Sequence, residues 1–295
     1  MNFIDLFKQK FREGDALIRL IFINVAVFVV LQTVNIVFLL FNQSLSWSSE
    51  FLAAPANFVY LIQKPWTVIT YMFLHEGLFH ILFNMFALYW FGKLFLMYFS
   101  QKHLVALYIL GGVMGYVFFA GAYNVFPYFK NAIDSSVILG ASGSIMAIIL
   151  AVATKSPDME MRMLFIGNIK LKYIAIFTVL TSFFGITSNN AGGEIAHLGG
   201  ALTGYIFIVS LRQGRDITAG LNKVISYFFD LFKPRKLKVK KNTNYSGHKM
   251  SDAEYNQHKV NRMKEIDRIL DKIKASGYES LSADEKKRLF EQGKG

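Results

Sequence analysis

The sequence predicts an all-α polytopic membrane protein: a bundle of six spanning helices followed by a small helical C-terminal tail. Three observations predict it. The 295-residue chain is 53% hydrophobic, with a mean hydropathy of +0.34. It nevertheless carries a formal net charge of +12, from 32 Lys and Arg against 20 Asp and Glu. Finally, the charge and the apolar residues occupy different stretches of the chain. The apolar content excludes disorder over most of the length. The absence of Cys excludes a disulfide scaffold, a zinc–thiolate site and a Cys nucleophile.

The first apolar run, residues 20–41, contains no charged side chain and is long enough to cross a bilayer. No small-residue cleavage site follows it, so it reads as a retained span rather than a signal peptide. Five further runs follow at 79–99, 104–124, 137–153, 173–187 and 195–211. Several are short or carry polar residues, which suits helices buried inside a membrane bundle. Run lengths near 20 residues weigh against a large soluble helical core. Basic residues set the expected orientation. With six spans, one side holds only Lys64 and Lys130, and the other holds the remaining 30 Lys and Arg. Both termini are therefore expected on the cytoplasmic side, and the number of spans is expected to be even.

The organisation expected is a cytoplasmic segment at 1–17, a six-span domain at 18–212, an amphipathic and polybasic juxtamembrane segment at 213–241, a linker at 242–250 and a small helical hairpin at 251–295. Ile217, Leu221, Val224, Ile225, Phe228, Phe229 and Phe232 recur at helical spacing, too interrupted for a seventh span but suited to a helix on a membrane surface. Residues 233–241 hold six basic side chains in nine. Anionic headgroups would attract them by about 1 kcal/mol each, and a stop-transfer flank explains them equally well. This placement beside an amphipathic segment favours lipid over nucleic acid as partner. In the tail, Ser251 with Glu254 and Ser282 with Glu285 form capping-box patterns. Met263, Ile266, Leu270 and Ile273 repeat between them, and Gly277 can end the first helix.

Polar residues inside spans are costly and therefore informative. In the run from His75 to Asn84, the two histidines are five apart, which is wrong for the His-Glu-x-x-His zinc pattern. No metal and no cofactor is expected. His80 and Asn84 are four apart and share a helix face, so their donors can converge. Gly140-Ala141-Ser142-Gly143 opens the fourth span. Its small residues suit close packing, while a Ser at a helix N-terminus also lies among free N–H groups. In the sixth span, Gly200 and Gly204 are four apart and next to His197. If spans four and six pack through these glycines, Ser142 and His197 can meet, and imidazole is the usual base for a Ser nucleophile. Helix packing alone would explain each motif taken singly.

Together these motifs resemble the rhomboid family of intramembrane serine proteases. The resemblance covers roughly residues 18–212 and rests on His80 with Asn84, on Gly140 to Gly143, and on Ala196-His197 followed by Gly200 and Gly204. It implies a six-helix rhomboid-like bundle and cleavage of transmembrane segments of membrane proteins. Ser142 would be the nucleophile and His197 its base, a dyad without a third acid. The backbone N–H of Ser142 and the side chains of His80 and Asn84 would form the oxyanion hole. It also implies a bacterial inner (plasma) membrane, and the tail resembles C-terminal extensions of some bacterial members. Two positions depart from the family pattern. Trp66-Thr67 stands where Trp-Arg is common, and Met146 stands where a Tyr often stacks on the catalytic His. Phe183 and Phe184 of the fifth span are expected to gate substrate entry. The alternative is a catalytically inactive rhomboid-like protein that binds client helices. A transporter is disfavoured because the spans hold almost no acidic residues, and Glu194, beside Gly192-Gly193, reads as part of a loop.

Overall fold

The computed structural model describes residues 15–43, 47–163, 167–231 and 251–292. The basic run 233–241, the linker 242–250 and most of the N-terminal segment 1–17 lie outside the described residues. The chain divides into two units, residues 1–233 and 234–295.

The first unit opens with α1 (Ala16–Leu40), capped by Asp15, whose carboxylate accepts from the Ile18 N–H at 3.0 Å. Only Leu17, Leu20 and Asn24 of α1 are buried. Most of its remaining residues are apolar and exposed or half-buried, which suits a helix at the edge of a membrane bundle, while Ile21 and Phe28 pack on the core. The long connection that follows contains α2 (Trp47–Leu52), β1 (Ala54–Pro55), α3 (Phe58–Gln63), α4 (Thr67–Thr70) and a 3₁₀ turn at Tyr71–Phe73. Side chains tie this connection to its own backbone. Trp66 Nε1 donates to the Phe51 carbonyl at 2.8 Å, Lys64 Nζ to Glu50 O at 2.8 Å, and Thr70 Oγ1 to Leu52 O at 2.7 Å. Thr67, at the position where the family often has Arg, is fully buried and donates to Lys64 O. These bonds hold the connection without a guanidinium.

Next come α5 (Leu78–Leu96) and α6 (Gln101–Val125), the latter capped by Ser100. Gly92 on α5 lets α1 approach: a Cβ there would lie 2.5 Å from Leu17 Cδ1. The fourth span starts later than the sequence suggests. Val137–Ile138 forms β2, paired antiparallel with β1 in the register Ala54↔Ile138 and Pro55↔Val137. The helix α7 begins at Ser142 and ends at Lys155. At 1.5 Å per residue its 14 residues span about 21 Å, short of the ~30 Å hydrocarbon core. Ten of those residues are buried, so α7 is the central helix, wrapped by others rather than by lipid.

An antiparallel strand pair, β3 (Glu160–Met163) with β4 (Gly167–Lys170), leads into α8 (Leu171–Phe184). Asp158, in the turn before it, accepts from Lys172 Nζ at 2.7 Å and Lys170 Nζ at 3.3 Å. Those hydrogen bonds hold its carboxyl below the usual carboxylate range. After α9 (Ala191–Arg212), Arg212 donates to the Thr154 carbonyl at 2.7 Å, placing a cation on the C-terminus of α7. The amphipathic α10 (Ala219–Leu231) follows. Among the described residues, α1, α5, α6 and α9 are long and apolar enough to cross a membrane, and Ser142–Lys155 and Leu171–Thr187 are shorter apolar helices.

The closest packing in the bundle joins α7 and α9. A Cβ at Gly200 would fall on the Gly143 carbonyl, and one at Gly204 on the Ala147 carbonyl. Both partners advance by four residues together, so the two helices run parallel in backbone contact. From the other side, Gly111 and Gly112 of α6 meet Ala147 and Ser144.

The second unit pairs α11 (Asp252–Ser276) with α12 (Ala283–Gln292). Ser251 and Glu254 make both bonds of a capping box, and the Ser282 and Glu285 backbone and side-chain groups exchange bonds in the same way. Gly277 ends α11 with φ +78°, a conformation that favours glycine. Ile269 and Leu281 are buried, and Lys272 pairs with Glu285 at 2.9 Å.

Gly204→Leu is expected to destabilise the bundle by at least about 1–3 kcal/mol, because the side chain has only backbone to displace. Gly121→Ala, on α6 but with nothing within 4 Å of the new methyl, is expected to be neutral or slightly stabilising. Thermal unfolding of the purified protein in detergent checks both.

Candidate active site

Ser142 is the first residue of α7, and the residue before it, Ala141, makes no side-chain cap. The first backbone bond of the helix runs from Ile145 N to Ala141 O at 3.0 Å. Helix geometry therefore leaves the N–H groups of Ser142, Gly143 and Ser144 without intrahelical acceptors. Such groups carry the positive end of the helix dipole.

The approach to Ser142 is shaped by Gly140. Its φ is +123°, in the region where a side chain is strained. Its N–H donates to the Tyr71 carbonyl at 2.9 Å, which anchors the turn to the loop between α4 and α5. A Cβ at Gly140 would lie 3.1 Å from His80 Nε2 and 3.7 Å from Ser142 Oγ. The space left by the missing side chain is thus bordered by both groups. His80 is also packed edge-on against His75, with ring centroids 5.0 Å apart. Asn84, one turn further along α5, is buried and donates from Nδ2 to the His80 carbonyl at 2.9 Å. One of its two amide hydrogens is thereby committed within the helix, and one is left for another acceptor.

His197 is carried to this place by the glycine contacts. Gly200 lies against Gly143, and His197 precedes Gly200 by three residues while Ser142 precedes Gly143 by one. At 1.5 Å per residue in parallel helices, His197 is offset from Ser142 by about 3 Å along the axis. The Nδ1 of His197 lies 3.1 Å from Ser182 Oγ on α8 and 3.2 Å from Glu194 Oε2 on its own helix. With Nδ1 engaged, Nε2 is the nitrogen open to a further partner.

Of the residues singled out from the sequence, Ser142 and His80 border the space at Gly140, Asn84 lies one turn along α5 from His80, Gly200 and Gly204 set α9 against Gly143 and Ala147 of α7, and His197 lies on α9 three residues before Gly200. Glu194 corrects an expectation. It is not in a loop, because α9 starts at Ala191 and Glu194 lies in its first turn, facing His197. Its spacing of three from His197 was the available signal. Ser182 had none, since only the tertiary fold brings α8 to α9. Met146 is buried in the core of α7.

A family model described as the Rhomboid domain matches residues 63–214, and one described as a family of unknown function (DUF6576) matches residues 250–294. Among similar proteins, "RHOMBOID-like protein 12, mitochondrial" of Arabidopsis thaliana is 30% identical over 216 residues, covering 70% of this chain and 61% of the relative. "Presenilin-associated rhomboid-like protein, mitochondrial" of Homo sapiens is 30% identical over 146 residues, covering 46% of this chain and 35% of the relative. The chain thus spans less than two thirds of the length of these relatives. Their names place them in mitochondria and give no support to the expected bacterial plasma membrane; the apolar helices support a multi-pass integral membrane protein. With a matching domain model over half of its length and a bundle of apolar helices around a short central one, the chain belongs to the rhomboid family.

Proposed function

We propose that the protein is an intramembrane serine endopeptidase that cleaves transmembrane segments of other membrane proteins. The observation that supports this reading is the parallel contact of α7 and α9, whose registry leaves His197 about 3 Å along the axis from a Ser that opens a helix with free N–H groups.

In this mechanism His197 Nε2 takes the Ser142 hydroxyl proton as Oγ attacks the scissile carbonyl carbon. The carbonyl oxygen becomes an oxyanion, held by the Ser142 N–H, the His80 ring and the free amide hydrogen of Asn84. The tetrahedral intermediate collapses, the C–N bond breaks, and His197 returns its proton to the leaving amine. Water, deprotonated by the same imidazole, then hydrolyses the acyl-enzyme. A substrate helix must unwind to expose its carbonyl, because each is hydrogen-bonded in the helix. Helix-breaking or small residues near the cut favour this. The route of entry fits the side of α8. Only Leu171, Ala175 and Ser182 of that helix are buried, and Phe183 and Phe184 are 58% and 75% exposed at its end. Charge asymmetry puts both chain ends on the cytoplasmic face and the site toward the opposite one. Residues 233–241 would bind anionic lipid.

The test is cleavage of a membrane-embedded reporter by the purified full chain. Ser142→Ala and His197→Ala are expected to abolish cleavage, and a fluorophosphonate probe is expected to label the wild type but not Ser142→Ala. Full cleavage by Ser142→Ala would sink the proposal. Loss of neither variant's cellular effect would instead favour a non-catalytic client-helix binder. Gly140→Ala is expected to keep the fold but to lower kcat by about 10–10²-fold, since sub-ångström displacement of positioned groups has costs of that order. Steady-state kinetics beside a melting curve check this.

A further inference from the structure

We infer that Glu194 is a positioning residue that completes a Ser142–His197–Glu194 arrangement, holding the His197 ring by its Nδ1–H. The inference rests on the endopeptidase reading above, in which the Ser–His pair acts without an acid.

Two facts distinguish Glu194 from an acid that merely suits a helix N-terminus. An acid in the first turn is favoured by the helix dipole even when its side chain extends into solvent. Glu194 instead turns inward, with only 22% of its side chain exposed, and brings Oε2 to 3.2 Å from His197 Nδ1. The fold also makes room for it. Gly185 ends α8, and a Cβ there would lie 2.7 Å from Glu194 Cγ and 3.0 Å from its Cδ. A carboxylate so placed accepts the Nδ1 proton in a hydrogen bond, which puts the lone pair on Nε2, where a hydroxyl proton must go. The carboxylate also stabilises the imidazolium formed when Nε2 takes that proton, without itself becoming protonated.

Ser182 Oγ, at 3.1 Å from the same Nδ1, is a second acceptor for that proton. A charged acceptor makes the stronger bond, so Glu194 dominates and Ser182 retains part of the effect when it is removed. The loss on substitution is therefore smaller than the ~10⁴ in kcat that removing the third member of a full triad can cost.

The experiment uses the purified full chain with a membrane-embedded peptide reporter and ¹⁵N-histidine labelling. Glu194→Gln, which keeps shape and removes charge, is expected to lower kcat by about 10-fold, and Glu194→Ala by about 10–10²-fold, with KM within about twofold. In parallel, the His197 Nδ1–H resonance, identified by its loss in His197→Phe, is expected to shift in both variants. If Glu194→Ala fails to fold, Glu194→Gln carries the test. A kcat within twofold of wild type for Glu194→Gln would overturn the inference. A fall in kcat with an unmoved Nδ1–H resonance would also overturn it, because the role would then be structural only. If neither wild type nor Ser142→Ala cleaves the reporter, the endopeptidase reading fails. The resonance still reports separately whether Glu194 sets the ring.

Discussion

The backbone contact between α7 and α9 is the constraint on which the rest of the bundle depends. Gly143 with Gly200 and Ala147 with Gly204 bring the two helices together with no side chain between them. Association in a bilayer lacks the hydrophobic drive that works in water, so close van der Waals packing must supply it. Small residues make that packing possible. The same contact sets the registry of the two helices, and with it the offset of about 3 Å along the axis between Ser142 and His197. The glycines of α6 repeat the device on another side of α7, which leaves this 14-residue helix almost wholly enclosed.

Enclosure explains how so short a helix persists in a membrane protein. Lipid need not be spanned by a helix that touches little of it. The space above its N-terminus is occupied by the turn at Gly140 and by the β1–β2 pairing, both tied to the α1–α5 connection. That connection is held by Trp66, Lys64, Thr67 and Thr70 bonding to backbone carbonyls. A polar, hydrogen-bonded cap therefore stands over open helix N–H groups inside an apolar bundle. Polar backbone at such depth is tolerated where protein surrounds it. The peripheral helices differ in kind. α1 and α8 bury only a few residues each, and α8 is linked to the centre near its end through Ser182 and His197. A helix that buries few residues and touches the proposed base near its end suits a path by which another helix approaches.

Much of the fold was legible because the bilayer restricts the alternatives. Apolar runs of adequate length can be little but helices there. The tail helices were legible from local chemistry: Ser251 with Glu254, Ser282 with Glu285, and Gly277 each act within a few residues of themselves. Less was legible where structure depends on partners far along the chain. Val137 and Ile138 look like the start of a span, yet they pair with Pro55 and Ala54. The β3–β4 hairpin joins two helices and carries no strong turn signal. Gly192 and Gly193 suggest a loop at Glu194, yet glycines at a helix start are tolerated when neighbours pack against them, as Phe119 does on Gly192.

By itself the sequence determined the membrane class, the helical spans, and the identity of the polar residues placed at a cost within them. Periodicity and desolvation are local or one-dimensional properties, so one chain suffices to read them. Only the tertiary structure decided which of those residues share a region and what each one touches. The registry that fixes the axial offset of Ser142 and His197, and the convergence of Glu194 on α9 and Ser182 on α8 on one ring nitrogen, depend on how separate helices pack. Helix spacing specifies a face, but not the neighbour against which that face is set.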